Sequence, residues 1–159
     1  MDQQGSSQAP RLASAGCILV VDDEPGMRSA LSRLFVAAGG EVRAFASGPE
    51  LLASDLLGTA ACIVLDLKMP GMDGLRVQAE LVARQCPAPT LFLTGAADVP
   101  TAVKAIQAGA FDFIEKPFDN EHLLERVCSA IAHHRRLAQQ QDSDDEERSG
   151  FLRRLTALT

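Results

Sequence analysis

The run Cys62-Ile63-Val64-Leu65 is apolar throughout and stops abruptly at an acid, Asp66. A Pro70-Gly71 turn follows, then Asp73-Gly74 ahead of a helical pattern. A short run with no polar face reads as a strand buried on both sides, as in a parallel sheet covered by helices. This strand delivers one carboxylate to its C-terminal tip. Two other apolar runs, Ile18 to Val21 and Leu91 to Leu93, also end in polar groups, at Asp22-Asp23 and at Thr94. A fourth piece, Phe111-Asp112-Phe113-Ile114, ends in Glu115-Lys116-Pro117.

Between these runs the period changes from two to that of a helix. Met27, Leu31, Leu34, Phe35 and Ala38 form one apolar stripe, which predicts a helix over 25–38, opened by Pro25 and stopped by Gly39-Gly40. Residues 41–45 alternate like a half-buried edge strand, and Ser47 is placed to cap a short helix over 48–55. Leu75, Ala79 and Val82 predict a helix over 73–85, ended by Pro87 and Pro89. Val99, Val103 and Ile106 predict another, closed by Gly109, and Leu124, Val127, Cys128 and Ile131 a last one that runs past 135. Strand and helix alternate five times at crossover spacing, which is the pattern of an α/β fold with a parallel five-stranded sheet. Residues 1–15 read as a flexible tail, 16–138 as the domain, 139–150 as a solvated acidic linker and 151–159 as the lead-in to a further segment.

Charge and cysteine usage narrow the function. A net charge of −6 and a pI near 5.0 argue against nucleic-acid binding by these residues themselves. Cys17, Cys62, Cys86 and Cys128 form no Cys-x-x-Cys pair and no metal spacing, so they read as buried, reduced thiols of a cytoplasmic protein. No apolar run approaches 18 residues, and the N-terminus carries no signal-peptide core, so no membrane association is expected.

In an open parallel sheet, ligands sit at the carboxyl ends of the strands, where strand order reverses. If the first and third strands are neighbours, Asp22, Asp23 and Asp66 converge there. Three carboxylates in one place repel and raise each other's pKa, and a divalent cation relieves this. All-oxygen ligands suit Mg²⁺, which also takes phosphate oxygens. With Thr94 and Lys116 at the same edge, the set suits phosphoryl transfer to an aspartate.

These segments together resemble the receiver domain of two-component response regulators. The resemblance covers about residues 17–135 and rests on Val21-Asp-Asp-Glu24, Leu65-Asp-Leu-Lys-Met-Pro-Gly-Met-Asp-Gly74, Leu93-Thr-Gly95 and Phe113-Ile-Glu-Lys-Pro-Phe118. It implies a flavodoxin-like doubly wound sheet of order 2-1-3-4-5 with five helices. Asp66 matches the phosphoacceptor, fed by a sensor histidine kinase. Asp22 and Asp23 match the Mg²⁺-holding acids, with Mn²⁺ as a substitute, and Lys68 matches a position whose backbone carbonyl is a metal ligand. Thr94 and Lys116 match the pair that contacts phosphoryl oxygens, Thr94 and Phe113 the switch pair, and Lys116-Pro117 a bond that is usually cis. Thr94-Gly-Ala-Ala-Asp-Val-Pro100 and Ala108 to Phe118 look FixJ-like, a subgroup in which a helix-turn-helix output domain follows. Such a domain would bind DNA, and the receivers would pair on phosphorylation through the fourth helix, fifth strand and fifth helix. Phe113 lacks the hydroxyl that Tyr supplies in some relatives, and Ala96 stands where subgroup members often carry a polar residue.

Each residue also has an ordinary reading. Asp22-Asp23 could cap the helix at Pro25, Asp66 could be a turn acid, Thr94 a strand-end hydroxyl and Lys116 a surface lysine. Phe113 could simply pack, and Asp73 is better placed to cap the third helix than to bind metal. His133 and His134 are adjacent and face different sides of a helix, which disfavours a shared metal. A phosphatase of the haloacid dehalogenase type would need an acid two residues after Asp66, where Lys68 stands. A flavodoxin would need a glycine- and hydroxyl-rich phosphate loop where Asp22-Asp23-Glu24 stands.

Overall fold

A computed structural model of the chain describes residues 11–13 and 15–157. Strands β1 (Cys17–Val21), β2 (Glu41–Phe45), β3 (Ala60–Asp66), β4 (Thr90–Thr94) and β5 (Asp112–Glu115) form one sheet. Its order is β2-β1-β3-β4-β5, with every pairing parallel. The helices are α1 (Pro25–Ala37), α2 (Gly48–Leu52), α3 (Gly74–Ala83), α4 (Val99–Gln107) and α5 (Asn120–Ala157). The order reverses between β1 and β3, so the crevice forms above the ends of those two strands.

Alternate strand residues divide the core in two. Ile18, Val20, Cys62, Val64, Leu91 and Leu93 face α1 and α5, where Leu31, Phe35, Leu123, Val127 and Ile131 meet them. Leu19, Val21, Ile63, Leu65 and Phe92 face the other layer, with Leu51, Val77, Leu81, Ala102 and Ala105. Every residue of β3 is buried, whereas β2 is half exposed, as its edge position requires. Ser47 caps α2 by accepting from Glu50 N at 3.3 Å, and Asp73 caps α3 by accepting from Arg76 N at 3.0 Å. The second helix is shorter than the 48–55 expected from its cap. It ends at Leu52, and a 3₁₀ turn at Leu57–Thr59 leads into β3.

Three further features depart from the sequence reading. The tail expected over 1–15 is anchored at its far end, whereas residues 1–10 and 14 lie outside the described residues. Leu12 is 1% exposed, inserted into the core beside Phe35 and Ala38, and its N–H donates to the Ala38 carbonyl at 2.8 Å. Arg11 donates to both carboxylate oxygens of Glu121 on α5, at 3.0 and 2.6 Å. A lone leucine in a polar stretch has no periodicity to announce this docking.

The second feature is α5, which runs unbroken through the residues expected as an acidic linker. They are solvated, as composition implies, but helical. No proline interrupts the stretch, and Gln140 and Gln141 donate to Asp144 and Asp145 one turn on, at 3.2 and 3.4 Å. Ile131 is the last buried residue and Leu137 the last to line a cleft of the domain, so the helix stands clear for about 30 Å beyond Leu137.

The third concerns the thiols. All four are unpaired, but only Cys62 is buried; Cys17, Cys86 and Cys128 are half-buried. Burial pushes the Cys62 thiol up to about 12, so it stays protonated and inert.

Candidate functional site

Strand register brings four chain segments to one edge of the sheet. Val21 pairs with Leu65, so Asp22 and Asp66 emerge side by side where β1 and β3 end. Thr94 closes β4, and its carbonyl accepts from Lys116 N at 2.7 Å, which holds the start of the Lys116 side chain against the same edge. The Lys116–Pro117 peptide bond is cis. α3 begins almost on top of β3: Gly74 N donates to the Leu67 carbonyl at 2.8 Å. A Cβ on Gly74 would lie 2.8 Å from the Asp66 carbonyl oxygen and 2.9 Å from Leu67 Cα, so only glycine permits this approach.

Asp22 is fully buried and Asp66 is 6% exposed, whereas Asp23 is open to solvent. One carboxylate oxygen from each of Asp22, Asp23 and Asp66 falls in a cluster no wider than 4.8 Å. This is the only such cluster of potential metal-ligating side chains among the described residues. Asp22 Oδ1 accepts from Glu24 N at 2.9 Å, but Asp22 Oδ2 is buried without a hydrogen-bond partner. Lys116 Nζ approaches it only to 3.6 Å, while it lies 3.3 Å from Asp66 Oδ1. Asp66 Oδ1 also faces the Lys68 N–H, at 3.4 Å.

These surroundings destabilise negative charge. Burial is the chief reason that the Asp66 carboxyl is pushed up to about 6; the Asp22 carboxylate adds to it, and Lys116 pulls back. Asp22 is also raised, chiefly by burial, against the opposing pull of the Glu24 N–H and Lys116. An orphaned buried carboxylate oxygen beside two more carboxylates, with one ammonium among them, is a site short of positive charge. The all-oxygen set fits a small hard divalent cation.

Thr94 is 1% exposed, and its hydroxyl donates to the Gly95 carbonyl at 3.2 Å. Phe113 is half-buried, packed against the cluster that holds Phe92, Ala102 and Ala105. Lys68 sends its side chain away from the acids, to Asp98 Oδ1 at 3.2 Å. The sequence reading missed Asp98. It also missed Arg28, whose guanidinium donates to the Asp22 carbonyl at 2.7 Å, and Arg126, which pairs with Asp112 at 2.8 Å. Long cationic side chains choose partners far off in sequence, and no local pattern announces them. A cleft at the opposite edge of the sheet is walled by Pro87, Pro89, Phe111, His133 and Leu137 and carries no acid. There His133 packs on the Phe111 ring, with centroids 5.6 Å apart.

Comparison with known proteins points to one family. A family model described as the response regulator receiver domain matches residues 18–128. The C4-dicarboxylate transport transcriptional regulatory protein DctR of Rhodobacter capsulatus is 46% identical over 125 residues, 77% of this chain and 64% of that protein. The transcriptional regulatory protein FixJ of Bradyrhizobium diazoefficiens is 39% identical over 120 residues, 76% of this chain and 58% of that protein. The chain therefore spans roughly 60% of the length of such curated relatives. Among solved structures, the response regulator StyR superposes with a TM-score of 0.76 at 32% identity, over 85% of this chain and 68% of that one. Full-length FixJ from B. japonicum superposes with 0.72 at 38% identity, over 82% and 64%.

Proposed function

Because the chain belongs to the response regulator receiver domain family, we propose that Asp66 is its phosphoacceptor and that Asp22, Asp23, Asp66 and the Lys68 backbone carbonyl hold Mg²⁺. The observation that carries this reading is the buried, partnerless Asp22 Oδ2 beside a carboxylate whose pKa is pushed up to about 6. Mn²⁺ fits the same oxygens. The metal, when bound, neutralises the acids and draws charge from the phosphoryl oxygens.

The chain's own groups do the rest. A carboxylate oxygen of Asp66 attacks the phosphorus of a phosphohistidine on a sensor kinase. The new O–P bond forms as the N–P bond breaks, and the bonding pair stays on the imidazole. Lys116 Nζ, already 3.3 Å from Asp66 Oδ1, pairs with a phosphoryl oxygen once it arrives. Thr94 gives up its bond to the Gly95 carbonyl and donates to another. Attack of water on the acyl phosphate later returns Asp66 and inorganic phosphate, which is the domain's only turnover. As Thr94 moves, Phe113 turns inward and the face made by α4, β5 and α5 pairs with a second copy. DNA is reached through an output segment beyond these residues, in the cytoplasm. Among the described residues no helix is long and apolar enough to cross a membrane.

The test is acetyl phosphate with Mg²⁺, followed by intact-mass spectrometry. The chain should gain one Mg²⁺-dependent, base-labile phosphoryl group, and Asp66→Asn should gain none. Equal labelling of the variant would remove Asp66 from the role.

A further inference from the structure

The helix α4 is held at its two ends by unlike contacts. At its C-terminal end, the buried Gln78 on α3 donates Nε2 to the Ala105 carbonyl at 3.1 Å. Along its length only the methyl groups of Ala102 and Ala105 are fully buried, and these offer the sheet little to interlock with. At the N-terminal end stands Asp98, in the N-cap position, where aspartate ordinarily accepts from the first turn. Here it does not. Its backbone lies at φ −104°, ψ 8°, because it closes a 3₁₀ turn, Ala96–Asp98, that runs straight into α4, and its side chain makes no cap bond. Its carboxylate is taken instead by Lys68 Nζ, at 3.2 Å.

We propose that Asp98 is shared between two partners: the Lys68 ammonium in the unphosphorylated domain, and the first turn of α4 once Asp66 is phosphorylated. The Lys68–Asp98 pair is then a latch on α4. The proposal rests on the reading of Asp66 as phosphoacceptor. Lys68 is rooted two residues beyond Asp66, and its N–H already faces Asp66 Oδ1 at 3.4 Å. A phosphoryl group there carries more negative charge than the Asp98 carboxylate and draws the ammonium toward it. Asp98, released, swings its backbone to the extended region, opening the 3₁₀ turn, and caps α4. Pro100 at the second helical position has no N–H, so the Thr101 N–H at the third is the donor a capping side chain would take. With the other end pinned by Gln78, the change is a pivot of the N-terminal end of α4.

Asparagine caps a helix as well as aspartate but forms no ion pair, which makes Asp98→Asn the informative variant. Amide hydrogen exchange at Thr101, read by NMR on the metal-free chain, should slow about fivefold in Asp98→Asn. Lys68→Gln should slow it similarly, because either change frees the cap. Asp98→Ala, which can neither pair nor cap, should not slow it. With Mg²⁺, Asp98→Asn should bind beryllofluoride about 1.5- to 5-fold more tightly than wild type, the range for losing one exposed ion pair. Asp98→Ala should bind it no more tightly. If wild type takes beryllofluoride while Asp98→Asn and Lys68→Gln leave Thr101 exchange unchanged or faster, the latch is overturned alone. If wild type takes none, the phosphoacceptor reading falls and the latch with it.

Discussion

Asp66→Asn should make the metal-free domain more stable, by an amount the site itself sets. The Asp66 carboxyl titrates at about 6 in the folded chain against an ordinary 3.8. Each pH unit of that displacement is worth about 1.4 kcal/mol, so ionised Asp66 costs the fold about 3 kcal/mol. Between the two values the folded state holds a proton that the unfolded state has lost, so stability falls as pH rises through this window. Below 3.8 both states are protonated and the cost vanishes; above about 6 it is complete. Asparagine resembles the protonated acid and carries no such cost. Urea or thermal unfolding in EDTA, followed by circular dichroism, should show the variant nearly level with wild type near pH 4. At pH 7.5 it should be about 3 kcal/mol more stable, or about 6–12 °C for a domain of this size. Mg²⁺ should close much of the gap by stabilising wild type. A variant no more stable than wild type at pH 7.5, or a gap that does not change with pH, would refute the claim that the acids are held at a loss.

Leu12→Ala should cost about 2–5 kcal/mol in the same unfolding assay, as for other fully buried leucines. A cost below about 1 kcal/mol would mean that the arm peels away at little loss. Lys116→Ala should still accept a phosphoryl group from acetyl phosphate, slowly, yet remain monomeric with beryllofluoride by light scattering, whereas wild type should pair. A variant that pairs normally would show that the ammonium is not needed to switch.

The strands were legible because β1, β3 and β4 are apolar on both faces, and a run such as Cys62 to Leu65 has few other fates. Their order was not written in any periodicity: that Asp22 and Asp66 meet followed from resemblance to a known family, and the register of β1 on β3 bears it out. Charges at strand ends were readable because a carboxylate ending an apolar run is unusual. Leu12 was not, since one leucine has no period. Asp98 was not, because capping and ion pairing call for the same residue, and only the folded chain decides which partner holds it. That 139–149 is helical was not legible for a different reason. Composition reports solvation well, but glutamine, glutamate and arginine are solvated in coil and in helix alike.

That last feature changes what the segment could convey. A flexible chain passes on only reach: whatever it joins can lie anywhere within its length. A helix continuous to Ala157 passes on direction as well, since each residue turns the next by about 100° and advances it about 1.5 Å. One residue added between Gln139 and Ser149 would swing everything beyond it through more than a quarter of a circle, while seven added would nearly restore the heading. Tolerance of length in this stretch would thus be periodic rather than graded, and Gly150 is the one residue after Ile131 that weakens the helix backbone by its own nature.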